Sequence, residues 1–315
     1  MKRDFTKLLD ITKKECDHLL KRAKRIKELR RKGKPYQPLA GKNLAMIFEK
    51  ASTRTRLSFE AGMHELGGHA IFLSPAETQI GRGEPVQDTA RVMSRYVHGI
   101  MVRTFSQTIV DDLAKWAAIP VINGLSDELH PCQILADLFT IGEYKGDLRN
   151  VKIAYIGDGN NVANSWLEAA VLLKMPFSIA TPKGYTPDRE LVKMASENPD
   201  FLLTDDPAEA VRDADVIYTD VWVSMGQEKE KASRKKAFKG YKIDDTLLKV
   251  ADREAIVMHC LPAYRGQEIT DEVFERFSDV IFTQAENRLH VQKALLEWLL
   301  KGPAEALAEQ KRRSG

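Results

Sequence analysis

Leu44-Ala45-Met46-Ile47-Phe48 and Ser52-Thr53-Arg54-Thr55-Arg56 form the stretch that says most about how this chain folds. The first run has the length of a buried strand, and apolar residues recur at helical spacing after the second. The stretch therefore predicts a strand, a tight turn and a helix. Backbone N–H groups at a helix start attract anions, and the hydroxyl and guanidinium groups of this turn suit phosphate oxygens. The alternative is an ordinary helix cap followed by surface arginines.

The bulk composition predicts a soluble cytoplasmic protein of two domains. A chain of 315 residues suits two domains of roughly 150 residues each. Its net charge of +3 comes from 48 basic and 45 acidic residues, so the mixed surface argues against a nucleic-acid partner. Three cysteines indicate a reducing compartment rather than a disulfide framework. No apolar run has the form of a signal peptide or approaches the ~20 residues that span a bilayer, so no membrane association is expected.

Short apolar runs alternate with helical patterns, which predicts βαβ units and an α/β fold of two doubly wound parallel-sheet domains. The predicted strands are residues 44–48, 70–73, 100–102 and 121–122, then 151–156, 178–180, 216–219, 256–259 and 280–282. The predicted helices include 12–32, 86–96, 109–118, 134–144 and 289–307.

We place the domain boundary near residues 143–150, after a helix that joins the two domains. The predicted domains are 1–147, with a connecting helix at 131–146, and 148–288; residues 289–315 form a last helix that packs back on the first domain. The polar, lysine-rich segment 224–239 is typical of a mobile loop.

The turn Gly157-Asp158-Gly159 follows a predicted strand and has three interpretations. A dinucleotide site is disfavoured because Val162 and Ala163 stand where the third glycine belongs, and the next strand lacks a terminal acidic residue. The glycines serve turn geometry in the second interpretation. In the third, the amides near the sheet edge bind a small molecule; they are Asn160, Asn161 and Asn164.

Two further runs combine histidine with cysteine, and both stand at the end of a predicted element. In His130-Pro131-Cys132-Gln133 the histidine either caps a helix or faces a ligand, and in His259-Cys260 the thiol is either packed or functional. The spacing of these pairs does not match chelating loops, so we expect no zinc site. The P-loop and the hydrolase nucleophile-elbow motif are both absent from the sequence.

Four runs together resemble the aspartate/ornithine carbamoyltransferase family. They are residues 48–56, 130–133, 220–226 (Asp-Val-Trp-Val-Ser-Met-Gly) and 259–263 (His-Cys-Leu-Pro-Ala). The last two runs resemble the ornithine-specific members in particular. The match extends over nearly the whole chain, in the family's order and at its spacing.

The resemblance implies that the chain transfers the carbamoyl group of carbamoyl phosphate to the δ-amino group of L-ornithine. It also implies two α/β domains with the active site in the cleft between them, no metal or cofactor, and a homotrimer or a higher assembly of trimers. By position, the residues for carbamoyl phosphate are Ser52, Thr53, Arg54, Thr55, Gln79, Arg103, His130, Pro131, Cys132, Gln133, Cys260, Leu261 and Arg288. Those for ornithine are Asn161, Asp220, Ser224 and Met225, and the catalytic residues are Arg103, His130, Asp220 and Cys260. Gln79 matches a position that reaches the site of a neighbouring subunit.

The chemistry of the implied reaction fits these residue types. An amine with a pKa near 10.4 must be neutral to attack, so Cys260 and Asp220 are expected to orient it or accept its proton. Negative charge grows on the carbamoyl oxygen, where Arg103, His130 and Thr55 would stabilise it.

Other functions remain open at the level of sequence. Aspartate as second substrate would demand extra cations, and putrescine has no carboxylate for the Ser224-Met225-Gly226 run to bind. A non-catalytic ligand-binding or regulatory protein and an NAD-dependent dehydrogenase are the alternatives from other classes. The sequence does not distinguish a biosynthetic from a catabolic direction, and it says nothing about allosteric control.

Overall fold

The computed structural model of the protein describes residues 2–74, 83–224 and 226–301. The described residues form two units. The first contains residues 2–136 and 288–301, and the second contains residues 137–287. Two helices, α5 (Pro131–Lys145) and α12 (Ser278–Lys301), each contribute residues to both units.

The first unit is built on a four-stranded parallel sheet with the order β2-β1-β3-β4. Its strands are β1 (Asn43–Phe48), β2 (His69–Leu73), β3 (Gly99–Arg103) and β4 (Val121–Leu125). Its other helices are α1 (Lys13–Arg31), α2 (Thr53–Glu65), α3 (Val86–Tyr96) and α4 (Gln107–Trp116). A buried apolar cluster that includes Val102, Val110 and Leu113 lies between the sheet and the helices.

The second unit contains a five-stranded parallel sheet with the order β7-β6-β5-β8-β9. Its strands are β5 (Ile153–Ile156), β6 (Phe177–Ala180), β7 (Phe201–Thr204), β8 (Val216–Thr219) and β9 (Ile256–His259). Its other helices are α6 (Asn161–Leu173), α7 (Arg189–Ala195), α8 (Pro207–Val211), α9 (Lys231–Ala237), α10 (Asp245–Leu248) and α11 (Asp271–Arg276).

Each sheet has a point where the chain reverses its direction of travel across the strands. In the first unit β2 and β3 lie on opposite sides of β1, and in the second unit β6 and β8 lie on opposite sides of β5. Neighbouring helices diverge at such a point, so the carboxyl ends of the two strands enclose a crevice where α/β proteins bind ligands. Phe48 pairs with Arg103 and Ile156 pairs with Thr219 at these two places.

The last part of α12 packs in the first unit against α1 and α2. Lys293 Nζ lies 2.6 Å from Glu65 on α2, and Glu297 Oε2 accepts a 2.8 Å hydrogen bond from Arg22 on α1. Gly62 allows close contact, since a Cβ there would lie 3.3 Å from the Lys293 side chain. The predicted domain bounds stay a prediction, because each long helix contributes to both units.

The parallel α/β architecture is confirmed, but two predicted elements need correction and one strand was missed. Residues 280–282 are not a strand; they lie in α12. A three-residue apolar run cannot distinguish a buried helix from a strand. The strand β7 was not predicted, because its four residues are only half-buried at the edge of the sheet. Segment 224–239 contains α9 rather than only a loop, since Arg234 on this helix is buried in an ion pair with Asp158.

Within the described residues, the structure contains no helix that is both long enough and apolar enough to cross a membrane.

Gly159 lies in the turn between β5 and α6, and a substitution there tests how closely this turn is packed. A Cβ at this position would lie 2.3 Å from Pro187 N and 2.5 Å from Tyr185 O, so the glycine is required by backbone that passes close by. Gly159→Ala should therefore lower the free energy of unfolding by about 1–3 kcal/mol, the range typical of overpacking. Urea unfolding followed by circular dichroism measures it.

Gly142→Ala provides the matched control. A Cβ at Gly142, inside α5, would have no neighbour within 4 Å, so this variant should gain up to about 1 kcal/mol from the lower entropy of its unfolded chain. Equal stability of the two variants would contradict the account of this turn.

Candidate active site

The predicted anion-binding turn begins helix α2. Ser52 is the N-cap in extended conformation, and its Oγ accepts a 3.2 Å hydrogen bond from Thr55 N. The backbone N–H groups of the first turn lie at the positive end of a helix of 13 residues. Thr55 is fully buried, whereas Thr53 is exposed.

Arginines gather around the Thr55 hydroxyl. Arg288 Nη2 donates to Thr55 Oγ1 at 2.9 Å, and Arg103 Nη1 lies 3.5 Å from the same oxygen. Burial, together with the charges of Arg288 and Arg54, lowers the pKa of Arg103 to about 9. Such a group of like charges is stabilised by an anion between them.

His130 faces the same group of cations from just before α5. Its side chain is buried, and burial holds the pKa of the imidazole well below its ordinary value of 6.5, with further lowering by Arg288, Arg103 and Arg54. His130 is therefore a neutral imidazole at pH 7. Gln133, in the first turn of α5, is also buried.

Some predicted residues of the first unit have other roles. Arg56, one of the two arginines of the turn, pairs with Glu60 at 3.2 Å and lies over the Phe72 ring, so its guanidinium is not with the other arginines. Cys132 Sγ donates to Asn123 O at 3.3 Å, and burial raises its pKa to about 12. The Cys132 thiol is therefore packed inside the protein. Only the backbone of Cys132 could contact a ligand. Pro131 is the first residue of α5, and Gln79 lies outside the described residues.

In the second unit, polar side chains meet where β5, β8 and β9 end. Asp220 follows β8, and its two carboxylate oxygens accept hydrogen bonds from different partners. Asn160 Nδ2 donates to Oδ2 at 2.8 Å, and Cys260 Sγ donates to Oδ1 at 3.0 Å. Asn160 also caps α6 by accepting from Val162 N and Ala163 N. Asp220 is therefore fixed in orientation by both neighbours.

Cys260 is a thiol in this arrangement. Burial raises its pKa well above 9.0, and the negative charge of Asp220 raises it further. In this arrangement the Cys260 thiol keeps its hydrogen and donates it to Asp220. Which of the two groups takes the proton of the amine stays a prediction.

The residues expected to hold ornithine are placed only in part. Asn161 is the first residue of α6 and is half-buried. Ser224 lies in the segment after β8, where its N–H donates to Gln227 Oε1 at 3.1 Å. Met225 lies outside the described residues. Asn164 accepts from Asp188 N at 2.9 Å, so it has a structural contact with the loop before α7.

From the sequence, His259 was named within a motif without being given a role, and Glu268 was not recognised. The backbone of Leu261 is left-handed, with φ of 59°, and its N–H donates to His259 Nδ1 at 2.9 Å. His259 Nε2 then donates to Glu268 Oε1 at 3.2 Å in a fully buried pair. This pair holds the segment that carries Cys260 and Leu261. The run of residues 259–263 drew attention to His259, but nothing in the sequence linked it to Glu268.

His259, Cys260 and Asp220 form the one group of potential metal ligands found among the described residues. Both ring nitrogens of His259 are already engaged, by Leu261 N and by Glu268. The geometry therefore does not offer a free imidazole to a metal ion.

A buried ion pair supports the segment that follows Asp220. Arg234 Nη1 donates to Asp158 Oδ2 at 2.8 Å and to Trp222 O at 3.1 Å. Burial raises the pKa of Asp158 to about 6 against the opposing effect of Arg234. Nothing in the sequence indicated that Arg234, which stands in a lysine-rich run, would be buried.

Two family models match this chain, one on each side of residues 143–149. Residues 3–143 match the carbamoyl-P binding domain of aspartate/ornithine carbamoyltransferases, and residues 149–299 match their Asp/Orn binding domain. The chain belongs to the aspartate/ornithine carbamoyltransferase family.

Individual relatives in this family cover almost the whole chain. The ornithine carbamoyltransferase of Methanoculleus marisnigri is 54% identical over 303 residues, 96% of this chain and 98% of the relative. The structure of ornithine carbamoyltransferase from Pyrococcus furiosus has a TM-score of 0.91 and 50% identity, and covers 95% of this chain and 97% of that one. An anabolic ornithine carbamoyltransferase from Campylobacter jejuni has a TM-score of 0.88 and 46% identity, with coverage of 94% and 98%.

His130 should make the protein sensitive to mild acid. Its pKa is depressed in the folded state, so below about pH 6.5 the unfolded chain binds this proton more readily and stability falls with pH. The contribution of one such histidine approaches about 1.4 kcal/mol per pH unit. Denaturant unfolding between pH 5 and 8 should show a shallower acid slope for His130→Asn than for the unaltered protein.

His69→Asn is the control for this measurement, because His69 is exposed on the edge strand β2. It should keep the acid slope of the unaltered protein. If His130→Asn also kept it, His130 would not be a neutral buried imidazole.

Proposed function

We propose that this chain transfers the carbamoyl group of carbamoyl phosphate to the δ-amino group of L-ornithine, forming L-citrulline and phosphate. The observation that supports it most is the group of arginines around Thr55 at the start of α2. Thr55 and Arg103 lie within the region that matches a carbamoyl-P binding domain. This group suits a dianionic phosphate, and the acidic site after β8 suits an amine.

The phosphate would bind at the first turn of α2. The backbone N–H groups, the hydroxyls of Ser52, Thr53 and Thr55, and the guanidinium of Arg54 are donors to its oxygens. The bound phosphate would offset the repulsion that lowers the pKa of Arg103. Because phosphate is then released from a site already built for an anion, the reaction needs no metal or cofactor.

The carbamoyl oxygen would lie near Arg103 and His130. Negative charge develops on it as the tetrahedral intermediate forms, and fixed donors stabilise that charge. The neutral imidazole of His130 can donate a hydrogen bond through its ring N–H. Gln133 can bind the carbamoyl NH2 group. Arg288 would support both the phosphate end and the carbamoyl end of the substrate through its hydrogen bond to Thr55.

Asp220 would accept the proton of the ornithine ammonium group. A free amine of this type has a pKa near 10.4, so at pH 7 it must lose a proton before attack. The carboxylate oxygens of Asp220 face Asn160 and Cys260, which fix the direction of that transfer. Cys260 and Leu261 would lie beside the reacting amine and carbamoyl groups. Asn161, Ser224 and Met225 would bind the α-amino and α-carboxylate groups of ornithine.

The charge of this second site favours ornithine over aspartate. Asp220 attracts an amine and repels the side-chain carboxylate of aspartate. Putrescine shares the amine, but it would leave the groups proposed for the α-carboxylate without a partner. The matched family model covers domains that bind aspartate as well as domains that bind ornithine. The negative charge of Asp220 is therefore the argument for ornithine.

We further propose a homotrimer or a higher assembly of trimers, with Gln79 reaching the site of a neighbouring subunit. Leu57 and Ile71 are exposed in the first unit, and a surface cavity of about 700 Å³ is lined by Ser52, Thr53, Leu57 and Phe72. An opening of this size beside the phosphate-binding turn suits a segment from another copy. The same resemblance supports a cytoplasmic enzyme, and the anabolic relative from Campylobacter jejuni supports a place in arginine biosynthesis.

A substrate panel tests the function. The purified protein should form citrulline from carbamoyl phosphate and L-ornithine, and give at most trace product with putrescine, aspartate or acetylornithine. If carbamoyl transfer to aspartate or putrescine were faster than transfer to ornithine, that compound would be the substrate instead. Carbamoyl phosphate binding without transfer to any amine would indicate a non-catalytic ligand-binding protein.

Arg54→Ala should lose citrulline formation by about 10²–10³-fold, because it removes a cation from the developing charge of the leaving phosphate. Its circular dichroism spectrum should match that of the unaltered protein. Arg56→Ala is the matched control in the same helical turn, since Arg56 pairs with Glu60 instead. Near-normal turnover of Arg54→Ala would refute the proposed phosphate site.

Leu57→Glu should reduce the mass measured by light scattering from a multiple of three chains toward the 35.6 kDa of one chain. A charge replaces an apolar side chain that is 59% exposed in the isolated chain. Met194→Glu changes an apolar residue of the second unit that is 40% exposed and should leave the mass unaltered. A trimer that tolerates Leu57→Glu would exclude Leu57 from the interface.

A further inference from the structure

A buried group of polar side chains lies behind Cys260. It consists of Asp137 on α5, Tyr218 on β8 and Gln284 on α12, and each of them is fully buried. None of the three is among the residues assigned to either substrate. A buried carboxylate is costly, and an apolar set of the same volume would serve the fold equally well or better. The group therefore calls for a functional explanation.

The hydrogen bonds of this group connect it to the strands that carry the second site. Tyr218 donates its hydroxyl hydrogen to Asp137 Oδ2 at 2.8 Å, and Gln284 Nε2 donates to Asp137 Oδ1 at 2.7 Å. Gln284 Oε1 accepts from the backbone N–H of His259 at 3.0 Å, immediately before Cys260. Tyr218 lies in β8, two residues before Asp220.

The Tyr218 hydroxyl is also within hydrogen-bonding reach of the Cys260 sulfur. A hydroxyl has one hydrogen, and here that hydrogen goes to Asp137. Cys260 consequently keeps its own hydrogen, which it donates to Asp220. If the sulfur became a thiolate, the Tyr218 hydroxyl could turn toward it.

We propose that Tyr218 and Asp137 are positioning residues that hold the Cys260 thiol directed at Asp220 and control how readily the thiol loses its proton. The proposal rests on the function given above, in which Asp220 receives the proton of the substrate amine. A thiol that stayed neutral would hold one Asp220 oxygen in place through the reaction without competing for that proton.

Several other titratable groups lie close to Cys260. Asp220 follows β8 and Tyr155 lies on β5, while His259 precedes Cys260 on β9. Burial and the charges of Asp220 and Asp137 raise the pKa of the Cys260 thiol, whereas the Tyr218 hydroxyl lowers it by turning to donate to the thiolate. Asp137 and Tyr218 therefore act on the thiol in opposite directions, which makes them separable by substitution.

The test is alkylation of Cys260 by iodoacetamide between pH 7.5 and 9.5, followed by mass spectrometry of the peptide that contains it. Cys260 is partly exposed, whereas Cys16 and Cys132 are buried, and Cys260→Ala gives the background. Plotted against pH, the logarithm of the alkylation rate should rise with the same slope for every variant. The vertical displacement between two such lines therefore measures the difference in thiol acidity.

Tyr218→Phe should slow the alkylation by about tenfold at fixed pH, one pKa unit, because the thiolate loses its donor while Asp137 keeps its charge. Asp137→Asn should accelerate it by a similar factor. A change in access alone would displace both variants in the same direction. Tyr155→Phe is the matched control: Tyr155 is equally buried and pairs with Tyr218 in register, but its hydroxyl faces Asn160 Oδ1. It should stay within about twofold of the unaltered protein.

Citrulline formation provides the second measurement. Tyr218→Phe should lower kcat and displace its pH profile, while KM for carbamoyl phosphate stays unaltered. Should Asp137→Asn fail to fold, the comparison of Tyr218→Phe with Tyr155→Phe still decides the matter. Alkylation and pH profiles of Tyr218→Phe that coincide with those of Tyr155→Phe would overturn the proposal. If the unaltered protein makes no citrulline, the proposed function fails, whereas the alkylation rates still report on the thiol.

Discussion

The mutual repulsion of Arg54, Arg103 and Arg288 is the constraint on which the first site depends. Arg103 and Arg288 are buried and share the Thr55 hydroxyl, and the cost of that arrangement appears in the lowered pKa of Arg103. A protein gains no stability from such a group by itself. It gains affinity for an anion, because a phosphate placed among the arginines exchanges repulsion for charge-assisted hydrogen bonds. Burial, together with the same arginine charges, lowers the pKa of His130 well below its ordinary value and keeps the imidazole neutral at pH 7.

The second unit repeats this design with the opposite charge. In both sheets the polar residues follow the strands at the point where strand order reverses. There the first unit offers arginines after β1 and at the end of β3, and the second offers Asp220 after β8. One site suits a phosphate that departs as an anion, and the other suits an amine that arrives with a proton to lose. The fold provides the two crevices, while the charge of a few side chains decides what enters each.

The sequence predicted the parts of this molecule that depend on local pattern. Alternating apolar runs indicate parallel strands, and Ser52 before a helical pattern indicates the cap of α2. The family motifs brought Asp220 and Cys260 together although 40 positions separate them. What could not be predicted depends on contacts distant in sequence and free of motifs. Glu268 holds His259, Asp137 supports Tyr218, and Arg234 is buried by Asp158, yet each has the sequence context of an ordinary polar residue. The error at residues 280–282 has the same origin, since tertiary packing decides whether a short apolar run is strand or helix.

A crystal structure of the protein with bound carbamoyl phosphate tests the central claim most directly. The account predicts that the phosphate oxygens lie at the first turn of α2, within hydrogen-bond distance of Ser52, Thr55 and the Arg54 guanidinium, with the carbamoyl oxygen facing Arg103 and His130. Carbamoyl phosphate bound elsewhere, with that turn empty and the Arg54 guanidinium facing solvent, would contradict it.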